Sequence, residues 1–123
     1  MANEITLSAS LSVNKPSIMS SAIGRAVTGL LLNMSGSTYI QDTMSVTTAA
    51  LVVPLGSVVS PHWAYFANLD TVNYLTLFNG AAGAVFLRLL AGEVAFCPLD
   101  PGCVPWAQAN TSPVQMEYLV LAL

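Results

Sequence analysis

Polar and apolar positions alternate along much of this chain. Over residues 4–14, EITLSASLSVN, Ile5, Leu7, Ala9, Leu11 and Val13 fall on one side, and Thr6, Ser8, Ser10 and Ser12 on the other. That period of two predicts a strand with one buried face and one hydroxyl-rich face, ended by Pro16, which cannot donate to a ladder. The hydroxyl face suits either water or a neighbouring subunit. The stretch His62–Phe96 organises the rest. Trp63–Leu69, Tyr74–Phe78 and Val85–Leu90 are strand-length apolar runs, broken at Asn68–Asn73, Asn79–Gly83 and Ala91–Glu93. Such spacing predicts an antiparallel meander.

Between these stretches the pattern is weaker. Residues 17–34 permit a helix, but Gly24, Gly29 and several β-branched or hydroxyl residues argue for two strands, near 17–22 and 25–34. Strands are expected at 38–47 and 51–54, then a surface loop or a short edge strand between Pro54 and Pro61. Pro98-Leu99-Asp100-Pro101-Gly102 predicts a turn. Val104–Ala109 and residues 114–123 predict the last two strands. In the latter, Val114, Met116, Tyr118, Val120 and Ala122 alternate against Gln115, Glu117, Leu119, Leu121 and Leu123. The final half is apolar on both faces, so it is central in a sheet or covered by a partner. Nine or ten strands in one domain spanning residues 1–123 point to an all-β antiparallel sandwich of jelly-roll type, with a flattened barrel as the alternative.

Composition adds one strong hint. Charged residues make up 7% of the 123 residues and hydrophobic ones 54%, against a usual charged share of about 25%. So few charges cannot cover the surface, which points to a homo-oligomer or to other subunits as cover. The net charge of −3, with Lys15, Arg25 and Arg88 far apart, argues against nucleic-acid binding. No apolar run approaches membrane-spanning length. MANEITLSAS lacks a basic and then apolar leader pattern, so no signal peptide and a cytosolic site of assembly are expected.

Candidate chemistry is sparse. His62 is the only histidine, and no Gly-x-Ser-x-Gly elbow occurs. His62 reads as an exposed strand-start residue beside Trp63. Asp70 reads as a cap for amides in its turn, and Glu93 as part of a hairpin turn after Gly92. Cys97 and Cys103 allow a small disulfide loop, although cytosolic synthesis favours free thiols. Zinc would need further ligands, and no cofactor or metal is expected. Asn33-Met34-Ser35 and Asn110-Thr111-Ser112 match glycosylation sequons by chance. Trp63, Tyr65, Trp106 and Tyr118 suit a sugar-stacking platform, but also core or subunit contacts. The candidate contact residues are His62, Trp63, Trp106, Leu119, Leu121 and Leu123.

Five segments carry a resemblance over nearly the full chain: MANEITLSASLSV at the start, ALVVPLGSV at 50–58, YFANLDTVNYLTL at 65–77, FLRLLAGEVAF at 86–96 and PVQMEYLVLAL at 113–123. Together they resemble small structural proteins of tailed bacteriophages. The resemblance implies a virion component without enzymatic activity, assembled in the bacterial cytoplasm. On that resemblance the expected role is to decorate or cement the capsid by binding the major capsid protein or other virion subunits, or to form part of the tail or head–tail junction. The Cys97–Cys103 turn and the low charge depart from the family pattern. The reading from residues alone also leaves open a carbohydrate-binding module for host attachment.

Overall fold

The computed structural model describes residues 4–15, 17, 21, 23–34 and 36–122. Among the described residues the strands are β1 (Ile5–Val13), β2 (Ile23–Leu32), β3 (Tyr39–Val46), β4 (Leu51–Val52), β5 (Pro61–Asn68), β6 (Leu75–Asn79), β7 (Val85–Leu89), β8 (Val94–Pro98), β9 (Pro105–Ala109) and β10 (Val114–Ala122). The strand expected near 17–22 falls largely outside the described residues, as does Leu123. The chain divides into two compact units, residues 1–35 and 36–123.

The first unit holds β1 and β2, paired antiparallel as a ribbon. Its register carries a bulge. Leu7 faces Leu30 and Ala9 faces Val27, so two steps along β1 match three along β2. Gly29 supplies the extra residue at a φ of 63°, a left-handed conformation that glycine adopts without steric cost. Its N–H donates to Ser8 Oγ at 2.9 Å. The bulge has a sequence cause. Apolar positions on β2 change phase between Val27 and Leu30, and one added residue brings Leu30 and Leu32 back to the side of Val27.

The second unit is a β-sandwich of two four-stranded antiparallel sheets, ordered β3-β10-β5-β8 and β4-β9-β6-β7. Pairings β3·β10, β4·β9, β5·β8 and β6·β7 nest one inside another, as in a long hairpin. Rolling that hairpin sends alternate pairs to opposite sheets, where β10 meets β5 and β9 meets β6. This is the jelly-roll order, and it does not close into a barrel. The expected meander over His62–Phe96 is therefore corrected. Only β6 and β7 form a hairpin within it, while β5 and β8 pair with each other in the opposite sheet. The breaks explain this: Asn68–Asn73 is a crossing between layers rather than a tight two-residue turn, so the chain leaves one sheet and enters the other.

The inward faces carry Val46, Phe66, Met116, Tyr118 and Val120 from one sheet, and Leu75, Leu77, Leu89, Ala107 and Ala109 from the other; all are buried. β10, flanked by β3 and β5, is central, which accounts for its apolar second half. The Tyr118 hydroxyl donates to Pro54 O at 2.9 Å, tying the loop after β4 to the core.

One buried polar residue joins the layers. Asn68, at the end of β5, is only 2% exposed. Its Nδ2 donates to the carbonyls of Asn73 (2.9 Å), Leu89 (3.1 Å) and Leu90 (3.1 Å), the latter two at the end of β7 in the other sheet. Its Oδ1 accepts from Asp70 N–H at 2.9 Å. Asp70 Oδ1 in turn accepts from the amides of Val72 (2.7 Å) and Asn73 (2.8 Å), the capping role expected of it. Those amide bonds hold the Asp70 carboxyl below its ordinary pKa. Glu93 closes the adjoining turn, its Oε2 accepting from Leu90 N–H at 2.8 Å. Gly92, at a φ of 77°, makes that turn possible.

Candidate docking surface

Trp63, Tyr65, Leu119 and Leu121 occupy outward positions of the β3-β10-β5-β8 sheet, because their neighbours Ala64, Phe66, Met116, Tyr118 and Val120 point inward. The register joins them into rows. Gln41 lies opposite Leu119, Leu119 opposite Tyr65, and Tyr65 opposite Phe96, so one row crosses all four strands. The Tyr65 and Phe96 rings pack with centroids 5.1 Å apart. A neighbouring row sets Tyr39 opposite Leu121 and Trp63 opposite Pro98. On the other flank, Thr43, Glu117, Ala67 and Val94 line up. Tyr39 is 64% exposed, Val94 53% and Phe96 49%, while Leu119 and Leu121 are half-buried.

The result is an aromatic and aliphatic surface with a rim of Gln41, Thr43 and Gln115. Its extent is on the order of several hundred Å², the size at which an exposed apolar patch marks an interaction surface. Glu117 is the one charged side chain in its rows. Desolvation pushes the Tyr65 hydroxyl above its ordinary pKa, and the Glu117 carboxylate beside it adds to the shift. The phenol therefore remains a hydrogen-bond donor at neutral pH.

Sequence reasoning named three members of this surface, Trp63, Leu119 and Leu121. It missed Tyr39 and Phe96 as contacts and placed Tyr65 only in a sugar platform. Outward alternation in β5 and β8 was the available signal, but the rows become visible only once the strand order is known. Two named candidates lie elsewhere. His62 is half-buried rather than exposed: its Nδ1 lies 2.9 Å from Leu99 O, and its ring meets Trp63 edge-on at 6.1 Å. The backbone of Leu99 also donates to His62 O at 2.7 Å, so the histidine clamps the turn after β8. Trp106 belongs to β9 in the other sheet, opposite Val52 and Phe78. With Tyr118 buried in the core, the four aromatics considered for a sugar platform do not share a surface.

The outer side of the β4-β9-β6-β7 sheet is mixed: one row sets Val52, Trp106, Phe78 and Val85 side by side. Tyr74, Thr76, Arg88 and Gln108, with Phe78 and Val85, line a shallow groove of about 510 Å³. Arg88 lies over the Tyr74 ring, 4.6 Å from its centroid, and Gln108 Nε2 donates to Thr48 O. Cys97 and Cys103 are separate thiols. Burial raises the pKa of both, with a smaller push from Cys103 on Cys97 and from Asp100 on Cys103. They are poor nucleophiles at neutral pH and act as small apolar residues. Among the described residues no three His, Cys, Asp or Glu side chains gather as a metal site, and no helix is long and apolar enough to cross a membrane.

Compared with known proteins, the chain matches no family model, no curated sequence and no solved structure.

Proposed function

We propose that this chain is a non-enzymatic structural subunit of a bacteriophage virion, decorating or cementing the capsid by laying the outer β3-β10-β5-β8 face across neighbouring capsid subunits. The observation that carries the reading is that face: Tyr39, Trp63, Tyr65, Phe96, Leu119 and Leu121 form one apolar-aromatic surface with a single carboxylate, Glu117, in its rows. Aromatic anchors framed by neutral polar groups are the usual composition of a protein interface core and its rim. The jelly-roll order is compatible with the reading, since viral capsid domains use it; lectin domains use it too, so the surface and not the fold carries the argument. The motif resemblance supplies the virion setting. Symmetry multiplies modest contacts, so that expansion or internal pressure must break many at once. A ring-forming subunit of the tail or head–tail junction would use the same face and differ in copy number.

Attachment through area rather than ion pairs has a direct test. Binding of the purified chain to undecorated particles is expected to change by less than about threefold between low and high salt, because screening acts mainly on exposed charges. A steep loss of binding with salt would contradict the proposal.

A further inference from the structure

We infer that the β1–β2 ribbon is a self-association arm, whose apolar face packs against the same face of a second copy. The inference rests on the association reading above and names one partner for it. Paired residues on antiparallel strands project to the same side. One face of the ribbon therefore carries Ile5 with Leu32, Leu7 with Leu30, Ala9 with Val27, and Leu11 with Arg25, and ends in Val13. The opposite face carries Thr6 with Leu31, Ser10 with Ala26, and Ser12 with Gly24. The bulge at Gly29 keeps the first face apolar through a change of phase in the sequence.

That face is open to water, most of all at Leu11. Leu11 is 78% exposed, Val13 45%, Val27 44% and Leu30 40%. Leu11, Val13, Gly24 and Arg25 line a shallow apolar groove of about 330 Å³. A two-stranded ribbon is marginal in water, and stability comes with further strands or a packed face. Two features select a second copy as the cover. First, the described apolar residues of this face expose on the order of 400–500 Å² per copy, so face-to-face packing of two copies removes up to about 1,000 Å², the low end for a specific interface. Second, among its described residues the face presents no carboxylate. Its one charge, Arg25, stands opposite Leu11 near the end of the ribbon and donates to Gly24 O at 2.8 Å. Arg25 is exposed, so its guanidinium keeps contact with water, and an arginine stem can pack along apolar surface while its head stays hydrated. A face that is apolar apart from Arg25 near its end, with Ala9 at its middle register position, is complementary to itself, and stacking two such ribbons makes a small four-stranded sandwich.

The test uses the full chain in sedimentation velocity across the micromolar range. Wild type is expected to sediment as a dimer or larger species. The double variant Leu11→Asp/Val27→Asp is expected to associate at least tenfold more weakly, while Ser10→Asp, on the opposite face, associates as wild type does. A wild-type chain that stays monomeric, a double variant that still dimerises, or a Ser10→Asp variant that fails equally would overturn the inference. Hydrogen exchange on the wild type avoids dependence on variant folding: protection of the Ile5–Val13 amides is expected to rise with protein concentration, and concentration-independent protection would contradict the pairing. Particle binding is measured separately. A monomer that still attaches to capsids removes the ribbon pairing alone, and a ribbon dimer that does not attach removes the decoration reading alone.

Discussion

Replacing Asn68 with leucine, a side chain of similar size, is expected to destabilise residues 36–123 by about 3–5 kcal/mol, a large share of a typical domain's stability. The residue is buried, and its single amide group serves the carbonyls of Asn73, Leu89 and Leu90 while accepting from Asp70 N–H. Leucine fills the space but leaves these partners without the bond that offsets their desolvation. The loss also uncouples β5 from the end of β7, so it acts on both sheets at once. In thermal unfolding the expected drop is about 15–30 °C for a domain of this size. N68D sharpens the test. It keeps the acceptor but sets a carboxylate against three carbonyl oxygens, which raises its folded pKa above the unfolded one. A group shifted that way is tolerated below its unfolded pKa and costs stability as pH rises, so N68D is expected to gain relative to wild type on acidification. If both variants melted within a few degrees of wild type, the Asn68 hub would not be what holds this end of the sandwich.

The second large effect is expected on attachment rather than on folding. Leu119→Asp combined with Phe96→Asp places two carboxylates in the row that crosses the β3-β10-β5-β8 sheet, beside Tyr65 and close to Glu117. Anchors at the centre of an interface carry about 2 kcal/mol or more each, so particle binding is expected to weaken at least 100-fold. Both side chains point away from the core, so unfolding is expected to move by only about 1 kcal/mol per site. Gln108→Ala, on the exposed side of the other sheet, is the matched control and is expected to bind as wild type does. Equal binding by the double variant would remove this face from the account, and equal loss by the control would mean that attachment does not depend on the β3-β10-β5-β8 surface.

Local chemistry in this chain is easily legible, and long-range pairing is not. Alternation in residues 4–14 and 114–123 announces β1 and β10, but only β10 buries one face. The β1 face expected to be buried is half-buried at Ile5 and Leu7 and exposed at Ala9, Leu11 and Val13, because among the described residues only β2 pairs with it. The cap at Asp70 and the turns at Gly92 and Pro98–Gly102 follow from residue type. The meander expectation failed because β5, β6 and β7 look alike as apolar runs, and nothing local tells whether neighbours in sequence pair or cross to the other layer. The docking surface shared that blind spot. Leu119 and Phe96 lie far apart in sequence and meet only through Tyr65. The bulge at Gly29 was readable as a phase change between Val27 and Leu30, but a glycine among apolar residues equally suits an interrupted strand. His62 was misplaced for a simpler reason: a ring that bonds the carbonyl of Leu99 is drawn inward by a turn 37 residues away.

The central claim is that this chain occupies a capsid lattice, and copy number tests it most directly. Quantifying the chain against the major capsid protein in purified particles is expected to give a ratio near one, or a simple fraction set by lattice symmetry. A ratio below about a tenth would place the subunit at the tail or portal vertex, where few symmetry-equivalent positions exist. Absence from the particles would contradict the virion account itself.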